Sequence, residues 1–558
     1  MEDFNYKLQK AIDGDIYYMW CVAYAYMVGD GVERNPEEAT KWYQKCVDAD
    51  YEDAAIDYAK FLYYGEYVVA DKKKSMDVVR KFAEQGKSAS QEWLAYVLSD
   101  NEYQDYENAL YWREKAAEQD NIDAIINMGL MYKSGRGVQQ SYDKALAYLK
   151  KAVDKGIAFA AYHVANIYHE KNLMYDAVDY YMKAASEDAR AQYMLGVFYM
   201  LGENLPYDIN KAIEMYEKAA EQNYPDAQAA LGTCYESNEY GIGNGEKAKY
   251  WFEKAINNGV VAVWHNLGNM YMNGEVIAKD MDQAIYCYQK SAECGSVESQ
   301  RWLAQIYRTG DGVEENPELA FFWEKKAVDN GRVESITNLA SYYFDGYGVE
   351  RDVNMGMMLM TDAAEKGDMA AQFNLGNFYR LGEHVEVDNN KAIYWYDQAA
   401  NKGDDVAMNN LAWMYEELYK NPIIAHGYYL KAAELGNPMA QFNLAMMYKK
   451  GEGIPVDYKE CYKWLMKTAE SGDGDAYLEL GVLYEDGLGV EKDYVVASQW
   501  YEKAILQDNP RAMCYLAVVI LNGYLPGDRD IEKAKSLLIR SNSLGYARAA
   551  DAYNHFFG

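Results

Sequence analysis

The 558-residue chain has little proline (nine), few histidines (six), and no apolar run close to the length that spans a bilayer. The missing run excludes a membrane-spanning helix. The histidines, His163, His169, His265, His384, His426 and His555, are scattered without ligand spacing. Seven cysteines, an odd number without a recurring interval, argue against a disulfide framework or a zinc site. Basic residues are also short, 55 against 87 acids, so the net charge is −32. That field repels phosphate backbones and anionic lipid, which argues against nucleic-acid and membrane partners and suits a basic or neutral protein. The opening MEDFNYKLQKAIDGD carries acids where a secretory signal needs bases and an apolar stretch, so a cytoplasmic location is expected.

What the chain does have is repetition. Its length exceeds the usual single-core domain, and QFNLGNFYRLG at Gln372 returns as QFNLAMMYKKG at Gln441. Leu195, Leu231, Leu267, Leu303, Leu339, Leu375 and Leu411 follow one another at 36 residues. The series continues to Leu444, Leu480 and Leu516 and back through Val164, Met128, Leu94, Tyr58 and Val22, giving about fifteen copies. Around each anchor stand a small residue four before, Gly or Ala one after, and usually Tyr four after, such as Tyr379 and Tyr415. These offsets share one helix face. The small residues admit a neighbouring helix and the tyrosines are expected to fill the gap between layers.

After this helix A comes a Gly-bearing turn (GDGVEEN, GYGVERD), then a second amphipathic helix B typified by NKAIYWYDQAANKG. Asn35, Asp71, Ser141, Asp208, Asn244, Asp280, Asn316, Asp352, Asp388, Asp457 and Asp493 are expected to cap helix B. In copies of altered length the cap is expected at Asp105, Asn172, Asn421 and Asp530. The GxG pairs lack a preceding strand and a following Lys-Ser/Thr, so they read as positive-φ turns and not phosphate loops. The expected organisation is a half-repeat cap at 1–14, a continuous array over 15–545 and a capping helix at 546–558.

The motif AxxxLGxxYxxGxGV followed by a capped KAxxWYxKAAxxG resembles the Sel1-like repeat family, a tetratricopeptide-related group, over nearly the whole chain. The resemblance implies an all-α, right-handed superhelical α-solenoid of helix-turn-helix repeats that binds a protein or peptide. In the related tetratricopeptide repeats the residues flanking the anchor face the groove. The resemblance therefore singles out Asn266, Asn338, Asn374, Asn410 and Asn443 one before the anchor, Asn269 and Asn377 two after it, and the aromatics Phe373, Phe442, Trp302 and Trp413. An amide offers a donor and an acceptor to one peptide unit, and rings dominate binding hot spots. Trp20, Trp93, Asn127, Asn166, Tyr162 and Tyr193 occupy equivalent offsets. No convergent ionisable set suggests catalysis, a cofactor, a metal or a small-molecule substrate, so the expected function is a non-enzymatic interaction scaffold or adaptor whose concave helix-A face takes a polypeptide. The alternative is a dedicated inhibitor or immunity protein that wraps a toxin or effector.

Overall fold

Every copy repeats one problem: two amphipathic helices that cannot bury their apolar faces alone. The computed structural model describes residues 3–237 and 239–558, and among these are 32 α-helices and no strand. They form two compact units, Met1–Cys287 and Tyr288–Gly558, with the boundary inside the helix Met281–Glu293. The first unit holds seven A–B hairpins, from Ile16–Val28 with Pro36–Asp48 to Pro225–Tyr235 with Gly245–Asn257. The second holds seven more, from Val297–Thr309 with Pro317–Asp329 to Pro510–Leu521 with Ile531–Ser543. A single helix, Phe4–Ile12, precedes the first hairpin, and Arg548–Phe557 follows the last. Helices touch chiefly their neighbours in the chain, as an α-solenoid requires.

The layers close through a ring from helix B seated on a glycine or alanine of helix A. A Cβ added to Gly376 would lie 2.5 Å from the Tyr396 ring, and one on Gly232 would lie 2.3 Å from Phe252. Four residues past the first small residue of helix B, this slot holds Tyr43, Tyr181, Tyr216, Phe252, Tyr288, Tyr396, Tyr429 or Tyr501, all buried. The A-helix tyrosines expected to fill the gap do less of it. Tyr379 and Tyr415 are half-buried, and Tyr415 lies parallel to Tyr428 with centroids 6.0 Å apart. Geometry explains the exchange: the residue beside the anchor faces the partner helix squarely, whereas four residues on the side chain leans toward the layer edge.

A second device recurs three residues before the anchor, as Gln91, Gln192, Gln228, Gln300, Gln372 and Gln441. Each donates its amide N–H to a carbonyl at the end of the preceding helix B, as Gln228 does to Ala220 at 3.3 Å and Gln372 to Ala364 at 2.9 Å. Four also accept from the next helix B: Gln91 from Gln119, Gln192 from Gln222, Gln228 from Asn258 and Gln300 from Asn330, at 2.8–3.0 Å. These clips add a side-chain donor to helix C-terminal carbonyls, most of which already accept a backbone N–H, and so tie each helix A to the helix B before it.

Local signals act as expected at nearly every cap. Asn35, Asp71, Asp208, Asp352 and Asp457 each accept the backbone N–H of the third residue on. Asp105, Asn421 and Asp530 do the same in the altered copies. Asn172 does not. The cap position there is Leu173, without a side-chain bond, and Asn172 sits at φ +59°. In that copy the turn has lost its glycines, and asparagine supplies the left-handed residue instead of the cap. Where the glycines remain, Gly348 lies at φ +68° so close to the Pro317 carbonyl that a Cβ would meet its oxygen at 1.9 Å.

Candidate functional site

The asparagines beside the anchors are mostly engaged. Asn266 donates to the Glu236 carboxylate at 3.1 Å, Asn338 to Glu324 at 3.0 Å, and Asn443 to Asn409 at 3.1 Å. Asn269 lines a small recess of 150 Å³ with Glu236 and Glu275. Trp302 is half-buried, parallel to Tyr288 at 6.4 Å, and Phe442 packs on the surrounding core.

Four of the expected residues, Phe373, Asn377, Asn410 and Trp413, gather around Tyr396, which the repeat pattern marks only as a core ring. Phe373, Asn374 and Asn377 project from Met369–Leu381, Tyr396 from Asn389–Ala400, and Asn410 and Trp413 from Asp405–Glu417. The Tyr396 hydroxyl donates to Asn377 Oδ1 at 2.6 Å and receives Arg380 Nε at 3.0 Å, and Asn410 lies close enough to influence the phenol. Burial pushes this phenol up, and Arg380 pulls it part of the way back. Phe373 lies 6.0 Å from the Tyr396 ring, while the Arg380 guanidinium stands 5.8 Å over Trp413. Trp413 remains 40% exposed. The half-buried Asn374 carries an amide with no side-chain partner among the described residues. The patch thus presents an exposed indole and a spare amide on a rigid, hydrogen-bonded base.

The first unit contains what the repeat pattern alone left unmarked. In the aromatic slot of Tyr106–Glu118 stands Arg113, 4% exposed, gripping both oxygens of Glu92 at 3.0 Å. Asn127 adds a 2.8 Å bond to the same carboxylate. Burial raises the Glu92 carboxyl, opposed by the Arg113 charge. Beside this pair open two cavities, of 390 Å³ and 540 Å³, that share Tyr96 and Asn127 in their walls. The sequence signal was a charge at a position where other copies have a ring. The second unit has the same anomaly: Glu324 fills the slot of Pro317–Asp329, 3% exposed, its carboxyl raised by burial and bonded to Asn338.

Among the described residues no three His, Cys, Asp or Glu side chains are grouped to hold a metal, and no helix is long and apolar enough to cross a membrane. The Sel1 repeat pattern matches in fourteen windows running from 17–51 to 510–546. The chain belongs to the Sel1 repeat family. The largest gap in the match, 158–188, coincides with the hairpin Ala158–Glu170 and Met174–Ala184, which folds like its neighbours despite the shortened turn around Asn172. A putative sel1-like repeat-containing protein, L21 of Acanthamoeba polyphaga mimivirus, is 29% identical over 117 residues. The match covers 20% of this chain, and the chain spans about a fifth (21%) of that relative. Among solved structures, c5321, a protective antigen of uropathogenic Escherichia coli displaying an SLR fold, is 27% identical with a TM-score of 0.52, covering 87% of this chain and 97% of that one. A Sel1 repeat protein from Oxalobacter formigenes is 26% identical, TM-score 0.41, covering 61% and 89%. Sel1 repeat proteins are generally protein-interaction scaffolds, a non-enzymatic use of the fold.

Proposed function

We propose that this Sel1 repeat protein is a non-enzymatic scaffold that holds a polypeptide on its helix-A face, with the Trp413–Asn374 patch as a principal contact. The observation that carries this reading is the conjunction of an exposed indole with a free amide on a base already fixed by Tyr396, Arg380 and Asn377. A rigid aromatic anchor loses little entropy on binding, and the amide can pair with one peptide unit of an extended partner. The net charge of −32 favours a partner with a basic surface and speeds its encounter at low salt.

Affinity capture from the native cell, with wild type and the Trp413→Ala and Asn374→Ala variants side by side, tests it. Recovery of the principal partner is expected to fall by about tenfold or more for Trp413→Ala, the range of a hot-spot ring. It is expected to fall less for Asn374→Ala, with unfolding curves unchanged. Equal recovery by all three proteins refutes the assignment of this patch. The inhibitor reading rests on the acidic charge, and no further feature of the helix-A face favours it.

A further inference from the structure

The two cavities of the first unit lie on the helix-A face between Glu52–Tyr64 and Ala158–Glu170, well apart in sequence from the Trp413 patch. Their origin is local. The third copy replaces its slot ring with Arg113 and connects its two helices by a turn, Ser99–Asp105, that lacks the glycine pair. The smaller chamber is floored by Arg113 and Met131 and walled by Tyr63, Tyr96 and Tyr106, with Arg136 at its rim. The larger has an apolar wall of Trp93, Tyr64, Phe159, Ile56 and Ile126, with Lys60 and Asp123 also in its lining. Tyr64 is 55% exposed and Phe159 41%, so these rings are open to a ligand.

The guanidinium donors of the smaller chamber are not all spent on carboxylates. Arg113 is paired with Glu92, and Asp100 is matched by Lys72 at 2.7 Å and by the Tyr63 hydroxyl at 2.6 Å. Lys72 and Tyr63 hold the Asp100 carboxyl well below the usual range. Arg136 has no carboxylate partner among the described residues. It donates to Tyr106 Oη at 3.0 Å, the Ser99 carbonyl at 3.2 Å and Asn101 Oδ1 at 3.3 Å. Arg113 Nη1, deeply buried, faces only the Met131 thioether at 3.1 Å and Ser99 Oγ at 3.5 Å. Sulfur is a weak acceptor, so this donor is under-used. Lys72 also bridges Glu102 at 3.3 Å, so the charges around the chamber balance, and what it offers is the Arg136 guanidinium without a carboxylate and an unfilled edge of Arg113.

We propose that the smaller chamber takes the side-chain carboxylate of an acidic residue in an extended peptide, and that the larger takes an apolar side chain of the same peptide. A single guanidinium without a carboxylate, close to Asp100, suits a monoanion better than a phosphate dianion. A guanidinium presents planar paired donors to a carboxylate. Both volumes fall within the range of ligand pockets. Asn127, in the wall shared by the chambers, spends its N–H on Glu92 and keeps its carbonyl oxygen to accept a peptide N–H. The long-range field of the protein opposes such a peptide, so its recognition depends on contact, with the acidic residue confined to the Arg136 rim.

The test uses the full chain carrying Trp413→Ala, so that the patch of the second unit does not contribute, and fluorescein-labelled octapeptides with amidated C-termini. Each has one Glu spaced two or three residues from one Phe or Leu in a Gly/Ser background. Fluorescence anisotropy at 0.15 M salt is expected to show the Glu peptides binding at least tenfold tighter than their Gln counterparts. The difference should vanish in Arg136→Gln and return in part in Arg136→Lys, with melting curves alike in all forms. Equal affinity for Glu and Gln peptides, or a preference that survives Arg136→Gln, overturns the proposal. So does a Gln octapeptide with a free C-terminal carboxylate that binds as tightly as the amidated Glu peptide. Neither outcome bears on capture of a partner at Trp413, which is measured separately.

Discussion

Arg113 in the first unit and Glu324 in the second stand in the same slot of the repeat, where eight other copies bury a ring, and they were accommodated differently. Arg113 found an opposite charge on its own helix A, Glu92, and the neighbourhood opened into two cavities. Glu324 found an amide, Asn338, at the same ladder position from which Asn127 reaches Glu92. The difference teaches that an asparagine beside the anchor serves the buried carboxylate first, wherever one exists. The asparagines with capacity to spare lie where the slot holds a ring, as around Tyr396.

The largest expected consequence of that comparison is Arg113→Ala. It strands Glu92, so the first unit should lose about 3–5 kcal/mol in urea unfolding, and adding Glu92→Gln should restore most of it. Retained stability in the single variant would mean that Glu92 is protonated in the folded chain. Next come the glutamine clips. Gln228→Ala removes two hydrogen bonds and should cost the first unit about 1–3 kcal/mol, whereas Gln372→Ala removes one and should cost the second about 1 kcal/mol or less. Gln372 Oε1 is buried without a partner, which makes its loss cheaper still. Equal costs in urea unfolding would dismiss the clip as an inter-repeat device.

Smaller effects separate the units by pH. Burial raises the Glu324 carboxyl, so its folded form is penalised once charged. The penalty is absent below the ordinary carboxyl pKa and appears as pH rises through the raised folded value. Glu324→Gln should therefore melt higher than wild type at pH 7 and level with it at pH 4. A second pH effect concerns His163, whose ring burial and Arg190 depress to about 4. Its contribution is complete above the ordinary histidine value near 6.5 and is lost as pH falls toward 4. His163→Gln should flatten the decline of the first unit across that window, with no effect on the second.

Much of the molecule was legible in its residues. The 36-residue interval, the alanine four before the anchor and the capping aspartates fix helix after helix, because each is a local rule of spacing or hydrogen bonding. Phe373, Asn377, Asn410 and Trp413 were legible as face positions, but their convergence on Tyr396 was not, since that ring belongs to helix B and its hydroxyl looked like mere core. Asn172 misled because a cap and a left-handed turn residue favour the same amino acid. The glutamine clips escaped notice because their partners lie eight residues back and thirty ahead, on different helices.

The sequence by itself determined the family and the two-helix unit, since both follow from periodicity along one chain. Only the tertiary structure decided which asparagines beside the anchors are spent on buried carboxylates, and where cavities open beside Arg113 in Tyr106–Glu118. Those outcomes depend on side chains roughly thirty residues apart competing for the same donor or the same space, a contest that spacing along the chain does not record.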